Sequence, residues 1–192
     1  MTGVVTAMVH LLSEAEAPLL AKRFYGGGDP GPIAASMAHV PELLEAALPF
    51  LGAALSPSAV DFRTKEIVIL RTSVLLQCRY CIDSHTPVAL DSGLTREETR
   101  WLRNESTLAV ADVFGSPRER ALIAWNDAVA GGVGAVDPRA REAFQEHFAE
   151  HEVVEITVLI GATMLLNRYA TSLELPVNEE TLTRLAREGF TT

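Results

Sequence analysis

Glu66-Ile-Val-Ile-Leu-Arg-Thr-Ser-Val-Leu-Leu-Gln-Cys78-Arg-Tyr-Cys81-Ile-Asp-Ser-His85 is the stretch on which the reading of this chain turns. It holds the only two cysteines, three positions apart, with a histidine four beyond the second and a glutamate twelve before the first. Residues three or four apart on a helix share a face. Cys78, Cys81 and His85 therefore line one surface if a helix starts near Cys78. Glu66 cannot reach them along the same helix, because twelve residues rise about 18 Å. The spacing predicts a chain reversal between Leu76 and Cys78 that folds the Glu66 helix back beside the next. Glu66, set among aliphatics, is then a buried carboxylate next to His85. Burial raises the pKa of such a group toward neutrality, which suits a proton acceptor. The expected relay runs from the Cys81 thiol to His85 to Glu66.

A helix N-terminus favours the thiolate, the reactive form of cysteine. Cys-x-x-Cys at a helix start is thus primed to attack peroxides or disulfides, and the second thiol can resolve a sulfenic acid as a disulfide. Blander readings exist for the same residues. Either cysteine could be a small buried hydrophobe, and Glu66 could be a structural acid paired with Arg63 or Arg71. Two thiolates, an imidazole and a carboxylate could also hold zinc. Structural zinc sites, however, gather ligands from two separated clusters, and the chain has no second cysteine pair.

Outward from this stretch, nearly every segment reads as helix, and none shows sustained period-2 alternation. Ser13-Glu-Ala-Glu16 is a capping-box pattern that predicts a helix over 13–25, kinked by Pro18. Gly26 to Pro32 is a loop, and 34–39 makes one helical turn or two. Pro41 opens a helix over 42–54, with Leu43, Leu44, Ala47 and Leu51 as its apolar face and a kink or split at Pro49. Helices follow over 62–76 and 78–92, the second with a kink or late start at Pro87 and Gly93 just past its end. Capping patterns at Thr95 and Ser116 open helices over 95–104 and 116–130. Asp137-Pro138 opens 139–149, a long helix covers 151–173, and Asn178 caps 179–188. The expectation is an all-α fold of eight or nine helices. One echo is visible: 66–80 and 155–169 share six identities over 15 positions, including Glu66/Glu155 and Tyr80/Tyr169. It suggests a duplicated helical hairpin with chemistry in one copy only.

The 192 residues suit one domain. Hydrophobic residues make up 48% and mean hydropathy is +0.17. That surplus is expected at a subunit interface, since no apolar run reaches the roughly 18–20 residues that span a bilayer. Residues 1–7 lack a basic n-region and an apolar h-region, so the cytoplasm is the expected location. The net charge is −9 without a basic cluster, which argues against nucleic acid as a partner.

The Glu66, Cys78-x-x-Cys81, His85 spacing resembles that of the AhpD-like alkylhydroperoxidases of the carboxymuconolactone decarboxylase superfamily, in their peroxidase-related branch. Arg63 to Arg71 looks like the helix before the family site. Cys78 to Thr86 with Gly93-Leu94 looks like its core motif, and Phe148 through Asn167-Arg168 like its C-terminal helix. The resemblance covers about residues 38–175, with 1–37 as an N-terminal extension and 176–192 as a helical tail. It implies an all-helical, cofactor-free and metal-free enzyme, assembled as a trimer or hexamer. Such an enzyme reduces hydroperoxides with an external thiol or dithiol donor. It further implies that Cys81 attacks the peroxide, Cys78 resolves the disulfide and meets the reductant, and Glu66 and His85 relay the proton. Tyr80 departs from the histidine that the best-characterised members carry there, and so leaves the reductant open. Two other readings stay in play: a non-redox enzyme of the decarboxylase type, and a non-catalytic oligomeric thiol redox sensor.

Overall fold

The computed structural model describes residues 7–190. Residues 1–6, on which most of the leader-segment reading falls, and 191–192 lie outside the described residues. The described residues form ten α-helices, one 3-10 turn and no strand. In chain order these are α1 Pro32–Met37, α2 Pro41–Leu55, α3 Phe62–Leu75, α4 Arg79–Asp91, α5 Arg96–Leu102, α6 Val110–Val113, α7 Pro117–Ala130, α8 Pro138–Gln145, α9 Glu150–Ser172 and α10 Glu179–Glu188. The all-α expectation holds.

α3 sits at the centre. Asp61 caps its start by accepting from the Thr64 amide at 2.8 Å, and Thr64 through Leu70 are all buried. A helix buried all round has no amphipathic face to present, and α3 accordingly packs against α4, α7 and α9. Ile67, Val68 and Leu70 meet Leu122 and Ile123 of α7, Phe144 of α8, and Ile156 and Leu159 of α9 in one core. Each such side chain contributes about 2 kcal/mol through burial. A second core joins Met37 of α1 and Leu44 and Leu51 of α2 to Ala162 of α9. Lys65, fully buried in α3, donates to the carbonyl of Ala54 at 2.8 Å and to that of Ser56 at 2.5 Å, which ties α3 to the end of α2.

Several expectations need correction. No α-helix forms over 13–25; the segment is a series of turns with a 3-10 turn at Lys22–Phe24. The Ser13 amide and hydroxyl both donate to Glu16, at 2.9 and 2.7 Å. The hydroxyl is therefore spent as a donor and does not accept an amide, as a cap must, and Pro18 lacks the N–H to continue a helix. The segment is held by longer-range bonds instead, among them Tyr25 Oη to the Leu12 carbonyl at 2.9 Å and Arg23 to the Glu45 carboxylate of α2 at 2.7 Å. On α2, Leu43 faces solvent, and Leu44, Leu51 and Ala54 make the buried face. α2 is not split at Pro49, which lies on its exposed side. α4 runs through Pro87 with no late start. α8 is shorter than 139–149, and α6 is a helix that the sequence reading missed.

The duplicated hairpin is also absent. The 155–169 segment lies inside the unbroken α9, with Leu166 at the position where the first copy turns at Gln77. By length and composition α9 could cross a bilayer, which no run in the sequence was expected to do. Here it is a core helix: Ile156, Leu159, Ile160, Thr163 and Asn167 are buried, and it packs on α2, α3, α4 and α7.

Candidate functional site

The predicted reversal is present, and its bonds account for its tightness. Gln77 takes the left-handed conformation, φ 56°. Its amide donates to the Val74 carbonyl at 3.1 Å and the next amide, of Cys78, to the Ser73 carbonyl at 2.9 Å. This pair of bonds is a Schellman ending, here without the usual glycine. Cys78 is at the same time the N-cap of α4: its sulfur accepts from the Cys81 amide at 3.3 Å. One residue thus closes α3 and opens α4, leaving α3 and α4 as packed neighbours.

The reversal brings Glu66 to His85. His85 Nδ1 lies 3.1 Å from Glu66 Oε2 and 3.3 Å from Oε1. Glu66 is buried and His85 partly exposed. The carboxylate favours the proton on Nδ1, which leaves Nε2 as the basic nitrogen. The alternative partners of Glu66 are engaged elsewhere. Arg63 reaches Glu98 and Glu119, and Arg71 reaches Asp127 through two bonds of 2.7 Å. Burial pushes the Glu98 carboxyl up, but bonds from Arg63 and Thr95 outweigh it and hold the group below the usual carboxylate range.

Cys78 and Cys81 are joined as a disulfide, their Cα atoms 5.3 Å apart. The two differ in surroundings. Cys78 is fully enclosed, in a cluster with Ala170 and Leu175. Cys81 lines a cavity of about 590 Å3 together with Glu66, His85 and Tyr80. The four sequence-predicted polar residues other than Cys78 therefore face one space. Among the described residues, no group of three or more His, Cys, Asp or Glu side chains is gathered to hold a metal ion.

Sequence reading missed most of the cavity's walls. Leu48, Leu51 and Leu55 of α2 and Leu166 of α9 make it apolar, and Ser84 of α4 adds a hydroxyl beside Tyr80. Ser84 could have been found, since it stands four residues after Tyr80 as His85 stands four after Cys81. The α2 wall had no comparable local signal.

Comparison with known proteins covers the same stretch of chain. The model of the carboxymuconolactone decarboxylase family matches residues 41–128, from the first residue of α2 into α7 and across the whole reversal. The chain is thus similar to the carboxymuconolactone decarboxylase family over that stretch and has an AhpD-like fold. It is 27% identical to YnjA of Escherichia coli over 123 residues, 62% of this chain and 63% of YnjA, so the match spans under two thirds of that relative. A solved structure from Agrobacterium tumefaciens, ATU0492, described as a putative antioxidant defence protein AhpD, superposes with a TM-score of 0.64 at 28% identity, covering 74% of this chain and 97% of that one. The alkylhydroperoxidase AhpD core of a peroxidase-related protein from Ralstonia eutropha JMP134 gives 0.76 at 19% identity, covering 91% and 94%. The debrominase Bmp8, solved with 2,3,4-tribromopyrrole, gives 0.73 at 20% identity, covering 97% and 98%. The last two likenesses concern the fold alone. α9, which closes the cavity, lies outside the stretch matched by the family model.

Proposed function

We propose that this protein is a thiol-dependent peroxidase that reduces hydrophobic organic hydroperoxides. A fold shared with a debrominase does not choose the reaction; the residues support the choice. The observation that carries it is the placement of Cys81 on an apolar cavity with the His85–Glu66 pair, while Cys78 stands behind it within disulfide reach. In the reduced protein the Cys81 proton passes to His85 Nε2, whose Nδ1–H is held by Glu66. The thiolate attacks the terminal peroxide oxygen, the O–O bond breaks, an alcohol leaves and Cys81 becomes a sulfenic acid. Cys78 then attacks the Cys81 sulfur, water leaves and the disulfide forms. An external thiol or dithiol restores both thiols, so no resident cofactor is required. Because Cys78 is enclosed, a reductant that attacks it needs the cover over it, Ala170 and Leu175, to open.

Mixing reduced protein with cumene hydroperoxide and following thiol loss tests this reading. Cys81→Ser abolishes peroxide consumption, and Cys78→Ser leaves a sulfenic acid on Cys81 that mass spectrometry detects. Equal consumption by Cys81→Ser and the wild type would overturn it. Activity that survives removal of both cysteines would instead favour a non-redox reaction.

We also propose a homo-oligomer, a trimer or hexamer. Val154, Val158 and Leu165 form one exposed apolar stripe along α9, and Leu43 and Phe50 are exposed on α2. An obligate interface uses such surface. Sedimentation distinguishes this from a redox sensor: a peroxidase keeps one assembly in both redox states while it turns over.

A further inference from the structure

Cys81 and His85 are four apart on α4, and so are Tyr80 and Ser84, one position earlier; all four side chains line the same cavity. The helix thus carries two adjacent rungs. One ends on Glu66. The other sets two hydroxyls, Tyr80 and Ser84, one turn apart on the cavity wall.

Reduction of a hydroperoxide needs two opposite proton movements. The thiol must lose a proton before attack, and the oxygen that leaves the broken O–O bond must gain one. The Glu66–His85 pair is an acceptor, suited to the first. We propose that Tyr80, backed by Ser84, is the donor for the second: it protonates the alkoxide oxygen as Cys81 attacks. The inference rests on the peroxidase reading and assigns a role within it.

The chemistry of the rung fits. Burial, reinforced by the charge of Asp29, raises the Tyr80 phenol above its ordinary value even though the nearby Ser84 hydroxyl pulls the other way. The phenol is therefore protonated throughout the neutral range. It is still a far stronger acid than an alcohol, so transfer to an alkoxide runs downhill. When Ser84 donates to the phenol oxygen, the phenol proton is free to point at a ligand. Donation from Ser84 would also stabilise the phenolate left after transfer. The balance closes: the alkoxide becomes the alcohol, the phenolate regains the proton that His85 took from Cys81, directly or through water, and no net proton is left over.

The test exploits the leaving group. Cumene hydroperoxide releases an alkoxide that needs a proton. Peroxybenzoic acid releases a carboxylate that does not. Single-turnover disulfide formation is measured with each on pre-reduced wild type, Tyr80→Phe and Ser84→Ala. Tyr80→Phe is expected to slow the cumene hydroperoxide reaction by about 10²-fold, at least tenfold more than it slows the peracid reaction. Ser84→Ala is expected to move the same ratio in the same direction, by about threefold, as the loss of one supporting hydrogen bond would. If Tyr80→Phe slows both reactions equally, or neither, the donor role is wrong while the peroxidase reading stands. If wild type reacts with neither reagent, the peroxidase reading fails and takes this inference with it.

Discussion

Glu66 and Glu155 head two segments that share six of 15 positions. Glu66 meets a histidine on a cavity wall, 3.1 Å away. Glu155 instead lies 2.6 Å from the ammonium of Lys65, an ion contact without hydrogen-bond alignment, and accepts from Ser58 at 2.9 Å. The difference begins eleven residues further on. The first segment breaks at Gln77, so Glu66 faces a second helix that carries Cys81 and His85. The second continues through Leu166 as one helix, so Glu155 has only neighbouring elements to pair with, and it joins α9 to α3 and to the loop after α2. One left-handed residue separates a helix that frames a candidate site from a helix that closes its wall.

The sharpest way to break this contrast is to remove each carboxylate in turn. Glu66→Gln keeps the shape and a hydrogen-bonding oxygen but cannot hold the charge that forms on His85. It is expected to lower the rate of peroxide-driven thiol loss by about 10²-fold, with a stability change under about 1 kcal/mol. Equal stopped-flow rates for the variant and wild type would remove Glu66 from the relay. Glu155→Gln is expected to do the reverse. It leaves Lys65 buried with two carbonyl partners and no counter-charge, which costs about 3 kcal/mol in urea unfolding, while the thiol-loss rate stays within about twofold. This cost depends on pH in a definite direction. Burial raises the Glu155 carboxyl, but the nearby Lys65 ammonium and the bond from Ser58 outweigh it, and the folded pKa falls below the ordinary value of 4.5. A depressed carboxylate stabilises the fold above its unfolded pKa, and that stability is lost as pH falls through the folded value. The penalty of Glu155→Gln is therefore full at pH 7 and shrinks below about pH 4.5. A penalty that is the same at pH 7 and pH 3 would mean the ion pair is not its source.

What could be read in advance follows from the range of the forces involved. The reversal before Cys78 was legible because it rests on arithmetic, the rise of a helix over twelve residues. The ends of α5, α7 and α10 were legible because Thr95, Ser116 and Asn178 each accept the amide three residues on, a strictly local bond. Ser13 carries the same local pattern and failed, because its hydroxyl found the Glu16 carboxylate as a better partner. The apolar walls from α2 and α9 were not legible. Leu51 and Leu166 look like any core leucines until long-range packing places them around Cys81. The echo at 155–169 misled for the same reason: identity at six positions records what a buried helix needs, and the turn at Gln77 depends on residues that differ.

Gln77 also offers the smallest and most diagnostic comparison, because α9 ends in the same motif. There Glu174 has φ 52°, its amide donates to the Thr171 carbonyl at 3.3 Å, and Leu175 donates to the Ala170 carbonyl at 3.1 Å. A left-handed non-glycine residue costs about 1–2 kcal/mol, and the added backbone entropy of a glycine returns part of what its introduction gains. Gln77→Gly and Glu174→Gly are each expected to stabilise the protein by about 0.5–1 kcal/mol in chemical denaturation. If the reversal serves only to turn the chain, both variants also leave the rate of thiol loss unchanged. Should Gln77→Gly lower that rate while Glu174→Gly does not, the stiffness of the glutamine at the turn is itself part of holding Cys78 behind Cys81. A loss of stability at Gln77 alone would show that its side chain makes a contact worth more than the strain, and the account of the turn as a bare backbone device would fail.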